Sequence, residues 1–160
     1  DEVDEFAIRM LFAYDDKRFV NISSAEFDLV SDDEKEDLEK KNEDMAEILG
    51  KIKDALGDEV EEVRLAASLG DYPVTLTSAG ELSIEMEKAI NAMPAGEKVK
   101  AQLAMEINAD HAIVDKLKAA ASDEEKLQKY AKILYFQARL VAGLPAEDPA
   151  EMSNLICELM

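Results

Sequence analysis

The residues that could do chemistry are few, and they gather in one stretch. Asn108, Asp110, His111 and Asp115 lie within eight positions. Carboxylate, amide and imidazole groups of this kind can ligate a hard or borderline cation. The same residue types before a helix act as caps, because their side chains accept from the orphan amides of the first turn. Their spacing matches no twelve-residue calcium loop. A metal-binding or metal-dependent centre on Asp110 and His111 therefore stands beside a plain helix start. The chain has one histidine, His111, and one cysteine, Cys157. Neither has a Gly-rich elbow, a matched base or an orienting carboxylate nearby in sequence, so nucleophilic catalysis finds no constellation. No P-loop or dinucleotide fingerprint offers backbone amides to phosphate. The expectation is a chain that is not an enzyme by itself, with no catalytic, cofactor-binding or metal residues.

The elements around these residues are more informative. From Asp123 to Leu144 the sequence reads DEEKLQKYAKILYFQARLVAGL. Leu127, Tyr130, Ala131, Leu134, Ala138 and Val141 recur at three- and four-residue spacing and share a face. Ile133, Phe136, Leu140 and Leu144 form a second stripe beside it. A surface helix of a monomer needs only one stripe, so two imply burial on two sides. A last amphipathic helix follows, opened by Asp148 as cap with Pro149 behind it. It carries Met152, Leu155, Ile156 and Leu159 on one face. A two-faced helix beside an apolar terminal one calls for a partner, and the simplest is another copy of the chain.

Upstream, Val3 to Tyr14 reads as a helix, DDKR at 15–18 as a turn, FVNIS at 19–23 as a short strand, and 24–30 as a linker. Ser31 with Glu34 forms a capping box for a long helix. Its stripe is Leu38, Met45, Ile48, Leu49, Ile52 and Leu56, and Gly57 is its stop. EVRLAAS and PVTLTS read as strands, and LGDY between them predicts a hairpin. VKAQLAMEI reads as a third strand, with Ala101, Leu103, Met105 and Ile107 on one face. Between the second and third strands lies a helix over about 81–93, capped by Ser78 and Glu81 and stopped by Pro94. Its face holds Leu82, Met86, Ala89, Ile90 and Met93. Such a stripe packs on a sheet or, with its flexible thioethers, serves a promiscuous apolar surface. A short helix after Asn108 is capped by that residue or by Asp110, and Ser122 with Glu125 caps the two-faced helix. The fold class is α+β, helix-rich, with a small three-stranded sheet.

The 160 residues carry a net charge of −19. That excludes nucleic acid and anionic membrane as partners, since both demand a positive surface. Between Ser31 and Glu62 fourteen acids face five lysines. This acidity serves solubility, or a scaffold for basic partners. A single cysteine forms no intrachain disulfide and fits a reducing, cytoplasmic setting. The opening DEVDEF, without a starting Met, is expected to be a boundary inside a longer protein.

Several blocks then occur together and in order: VDEF at 3–6, VRLAASLGDYPVTLTSAGELSIEME at 63–87, LAMEINADHAIVDKL at 103–117 and QARLVAGLPAEDPAEMSNLICEL at 137–159. They resemble the C-terminal part of the bacterial, HtpG-type branch of the heat shock protein 90 family of molecular chaperones, over essentially the whole chain. The resemblance implies an ATP-dependent chaperone that assists protein folding under stress. Residues 1–30 would be the end of its middle domain and 31–160 its C-terminal dimerisation domain. ATP and Mg would belong to an N-terminal domain outside this chain, leaving no cofactor here. The implied partners are a second copy, through an intermolecular four-helix bundle, and unfolded or partly folded client proteins. The implied dimer residues are Leu127, Leu134, Ala138, Val141, Met152, Leu155, Ile156 and Leu159. The implied client residues are Phe6, Leu82, Met86, Ala89 and Ile90. Ala89 and Phe6 are smaller than their usual counterparts. The ending ICELM lacks the acidic tail of eukaryotic cytosolic members, so co-chaperones that read that tail are not expected.

Overall fold

The computed structural model describes residues 11, 13–18, 32–67, 69–93, 98–146 and 148–159. The expected strand at 19–23, the linker at 24–30, the Ser31 cap and Pro94 lie outside these residues, as does most of the proposed helix before Tyr14. At the end of that segment the chain is extended, not helical. β1 (Ala13–Tyr14) pairs antiparallel with β2 (Lys17–Arg18). Asp15 and Asp16 between them both have positive φ, 51° and 61°. Two such residues give the turn whose twist matches a two-residue hairpin, and Asp tolerates that region better than most side chains.

The main body is α+β. α1 (Asp32–Leu56) ends at Gly57, whose φ of 57° suits glycine, and a 3-10 turn covers Gly57–Glu59. β3 (Glu62–Ala66), β4 (Val74–Ser78), α2 (Ile84–Asn91), β5 (Leu103–Asn108), α3 (Ile113–Ala120), α4 (Glu124–Val141) and α5 (Pro149–Leu159) follow. The sheet order is β3-β5-β4, with β5 parallel to β3 and antiparallel to β4. The expected β3–β4 hairpin is thus corrected: the third strand is inserted between them. The reason lies in β5, which is buried at every position. Ala104 and Glu106 on its second face are covered as well as Leu103, Met105 and Ile107 on the first. A strand buried on both faces takes the centre.

The connection from β3 to β4 therefore arches over the end of β5 at its described residues Gly70, Tyr72 and Pro73. Asn108 pins the arch. Its Nδ2 donates to Gly70 O and Tyr72 O, both at 3.0 Å, its backbone N–H donates to Pro73 O, and its Oδ1 accepts from Asp110 N. Asn108 is 5% exposed. It is a loop anchor, and not the cap of the following helix. A second asparagine protects the sheet edge. Asn42 of α1 accepts from Leu65 N at 2.8 Å and donates to Leu65 O at 3.0 Å. It occupies backbone groups that an edge strand would otherwise offer to another chain.

The core lies between one sheet face and two helices. Val63, Leu65, Val74, Leu76, Leu103, Met105 and Ile107 pack with Met45, Leu49 and Ile52 of α1 and with Leu127, Ala131, Leu134 and Ala138 of α4. On the other face Arg64 pairs across the strands with Glu106, its register partner. The helix starts differ from expectation in detail. Ser83, not Ser78 with Glu81, caps α2, accepting from Met86 N, while Ser78 Oγ accepts from Ile84 N. The helix is therefore 84–91, shorter than the 81–93 proposed. Asp123, not Ser122, caps α4, and Asp148 caps α5 as expected.

Replacing Asn108 with Ala strips two carbonyls and one amide of their part-buried bonds. Urea denaturation should register a loss of about 2–3 kcal/mol. A change below about 0.5 kcal/mol would mean that other bonds hold the arch.

Candidate functional site

The metal reading fails on the geometry of its own residues. Asp110 Oδ1 holds Lys41 Nζ at 3.0 Å, and Asp110 is largely exposed. His111 Nδ1 accepts from Ile113 N at 3.1 Å, so that nitrogen's lone pair serves the start of α3. An imidazole nitrogen cannot hold an amide proton and a metal at once. Among the described residues no three His, Cys, Asp or Glu side chains gather as a cation site. The Asp110–His111 centre is thereby corrected to a helix start tied to α1.

The apolar helices at the C-terminus are the stronger candidate. α4 buries its inner stripe: Leu127, Leu134 and Ala138 are 1%, 2% and 0% exposed within the chain's own core. The expectation that these three face a second copy is corrected by that burial, since no other chain can touch them in this fold. Val141, the fourth α4 residue of that set, is open at 45%, and Leu140 beside it at 51%. α4 then ends on Gly143, φ 70°, where Gly143 N donates to Leu140 O and Leu144 N to Arg139 O. This double bond pattern closes a helix and reverses the chain.

α5 returns antiparallel along α4. Lys132 meets Glu151 at 2.6 Å and Lys129 meets Glu158 at 3.0 Å, pairs whose order runs in opposite senses on the two helices. These bridges are partly open to solvent and of small energy. No residue of α5 is buried, and Met152, Leu155, Ile156 and Leu159 are all left half-covered. An apolar stripe that is part-covered along its length and buried nowhere can take further cover.

α2 is the second uncovered element. It too has no buried residue. Leu82, in the turn before it, and Ile84 touch the core, while Met86, Ala89 and Ile90 are half-buried and Met93 is 56% exposed. Phe6 lies outside the described residues. α2 is fastened at its ends by polar bonds. Asn91 pairs with both backbone groups of Val99 at 2.9 Å, and Glu87 Oε2 accepts from Ala101 N at 2.7 Å. Lys88 Nζ lies 3.1 Å from where a side chain on Gly143 would begin, so α2 sits beside the closing turn of α4.

Sequence reasoning missed one cluster. Tyr135 OH donates to Glu59 Oε2 at 2.7 Å and accepts from Arg139 Nη1 at 3.0 Å. Lys100 Nζ meets the same Glu59 oxygen at 2.7 Å. Burial raises the Tyr135 hydroxyl above the usual tyrosine range, with the bond to Glu59 adding to it and Arg139 opposing. For Glu59 burial acts upward, but the bonds from Lys100 and Tyr135 and the charges of Lys100 and Arg139 together outweigh it and hold the carboxyl low. The available signal was the i, i+4 spacing of Tyr135 and Arg139.

A family model described as Hsp90 protein matches residues 1–160. Over the whole chain the sequence is 47% identical to a Chaperone protein HtpG of Oceanobacillus iheyensis. It is 44% identical to those of Shouchella clausii and of Clostridium perfringens. It covers 26%, 26% and 25% of these three proteins. The chain thus spans about a quarter of the length of the curated relatives it matches.

A carboxyl held below its unfolded value stabilises the fold at neutral pH, and this contribution drains as pH falls through the lowered value. From the ordinary 4.5 of a glutamate, the loss sets in at acid pH. Glu59→Gln is expected to lower the urea midpoint at neutral pH, and the gap to the parent should narrow toward about pH 3. A gap that stays constant over that range contradicts the charge assignment.

Proposed function

The chain belongs to the Hsp90 protein family, and from that membership we propose that it is the module through which two copies of an HtpG-like chaperone assemble and touch client proteins. The observation that carries the assembly half is α5: an eleven-residue helix with an apolar stripe and no buried residue. Leu140 and Val141 stand open at the turn end of the helix it returns along. The contact consists of Leu140 and Val141 with Met152, Leu155, Ile156 and Leu159. Two copies of the α4–α5 hairpin, related by a two-fold axis, make a four-helix bundle, the self-complementary arrangement of most homodimers. Full burial of an exposed side chain of this kind contributes about 1.5–3 kcal/mol; Leu140 and Val141 would gain about half of it, and the part-covered residues of α5 a smaller fraction each.

The role of such a joint is mechanical. In the whole chaperone, ATP and Mg would be handled by an N-terminal domain. A permanent pairing at the C-terminus raises the effective concentration of the two ATPase domains for one another. The fragment itself performs no reaction. Client contact falls to α2, whose half-covered Met86, Ala89 and Ile90 and exposed Met93 give a flexible apolar surface, with Phe6 as a further contact. The surrounding acidity keeps that surface from self-association. No helix among the described residues is long and apolar enough to cross a membrane, and work in the cytoplasm accords with the free Cys157.

Leu155→Asp or Ile156→Asp would place an unpaired charge in the contact. Sedimentation is expected to find monomers at micromolar concentration, with the melt of the core little changed because neither residue is buried. An intact dimer in both variants removes α5 from the interface. Met86→Ser is expected to weaken capture of a chemically unfolded protein several-fold while leaving the mass of the assembly alone. Unaltered capture returns the α2 stripe to a packing role.

A further inference from the structure

We propose that Arg139 is a positioning residue for the α4–α5 hairpin, its guanidinium fixing the turn and so the face that α5 presents; this rests on the assembly reading above. Arg139 is only 6% exposed, in a helix whose other inward residues are mostly apolar. Burying a guanidinium there is costly unless its donors are met. One donor is met across the turn: Nε donates to Pro145 O at 3.0 Å. Another is met on its own helix: Nη1 donates to Tyr135 OH at 3.0 Å, with the cation 5.6 Å from the centre of the Tyr135 ring. The backbone of the same residue takes Leu144 N through its carbonyl at 2.8 Å. Arg139 therefore grips residues 144 and 145 at two points, of which only the side-chain point depends on its being arginine.

The grip is itself anchored. Tyr135 OH, having accepted from Arg139, donates to Glu59, and Glu59 is held by Lys100. The guanidinium is thus referred to the 3-10 turn after α1 and to the segment leading into β5, not to its own helix alone. A lysine could not replace it, because one ammonium lacks the flat fork that reaches the carbonyl and the phenol together.

What makes this grip decisive is how little else aims α5. The helix buries no residue, and its two bridges to α4, Lys132–Glu151 and Lys129–Glu158, are partly open to solvent. With side-to-side packing so thin, the angle of α5 depends on where the chain leaves the turn. A shift there carries Met152 and Leu159, at opposite ends of the stripe, out of register with a second copy.

The test uses Tyr135→Phe, which keeps the ring and deletes the hydroxyl link, and Arg139→Lys, which keeps the charge and deletes the fork. Paired spin labels on Cys157 and on a Glu47→Cys substitution, both at exposed positions, report the distance from α5 to α1. Sedimentation reports the dimer. Both variants are expected to broaden the label distance and to raise the dimer dissociation constant about tenfold, the scale of one lost hydrogen bond to a charged group. A lowered melting temperature with an unchanged distance distribution overturns the proposal, since a network that merely stabilises the core would give that. If the parent chain stays monomeric at every concentration the assembly reading fails, and the label distance alone then decides: broadened supports the positioning role, unchanged overturns it.

Discussion

Burial of the inner stripe of α4 governs the rest of the molecule. Leu127, Ala131, Leu134 and Ala138 fill the space between α1 and the sheet, and the two alanines let the helix backbone come close. Once that face is spent inward, the opposite side of α4 must receive α5, and whatever α5 leaves uncovered faces out. A hairpin of two helices on one side of a small sheet has no further layer to close it. The chain holds a complete core and an incomplete second one at the same time.

Polar side chains tie this arrangement together where strands and helices cannot. Asn42, Asn91 and Asn108 do the same physical job at three places. Each turns its amide onto backbone groups that no ladder reaches: the β3 edge, the segment before β5, and the arch over its end. Each satisfies part-buried backbone groups that would otherwise cost free energy. The Asn91 and Glu87 bonds fasten α2 to Val99 and Ala101, and Lys100 between them meets Glu59, which meets Tyr135, which meets Arg139. One polar chain thus runs from the proposed client helix to the turn that aims the proposed assembly helix.

The sequence made much of this legible. Helical stripes, the Gly57 stop and the Asp148–Pro149 start all rest on local spacing, and local spacing survives folding. The two stripes on α4 were both visible, but their apolar strength is similar, so nothing in the residues told which one faces the chain's own core. The resemblance placed Leu127, Leu134 and Ala138 on the outer side, where burial shows they are not. Sheet order was hidden for a related reason. A period of two names the face of a strand and not its neighbours, and LGDY looks the same whether it turns tightly or arches over a third strand. Asn108 reads as a cap because its local options are those of a cap, and its real partners lie more than thirty positions away. The metal reading failed likewise, since Lys41 lies far off in sequence. The chemistry of single residues carried little here, and the ordered blocks carried the family.

The central claim is that the half-covered stripe of α5 is where a second copy sits. Hydrogen exchange of the unmodified chain, followed over a range of concentration, tests it most directly. The account predicts that amides of 149–159 gain protection as concentration rises, together with those around Leu140 and Val141, while β5 exchanges at the same slow rate throughout. Exchange in α5 that does not depend on concentration, or protection that develops on another face, would contradict it.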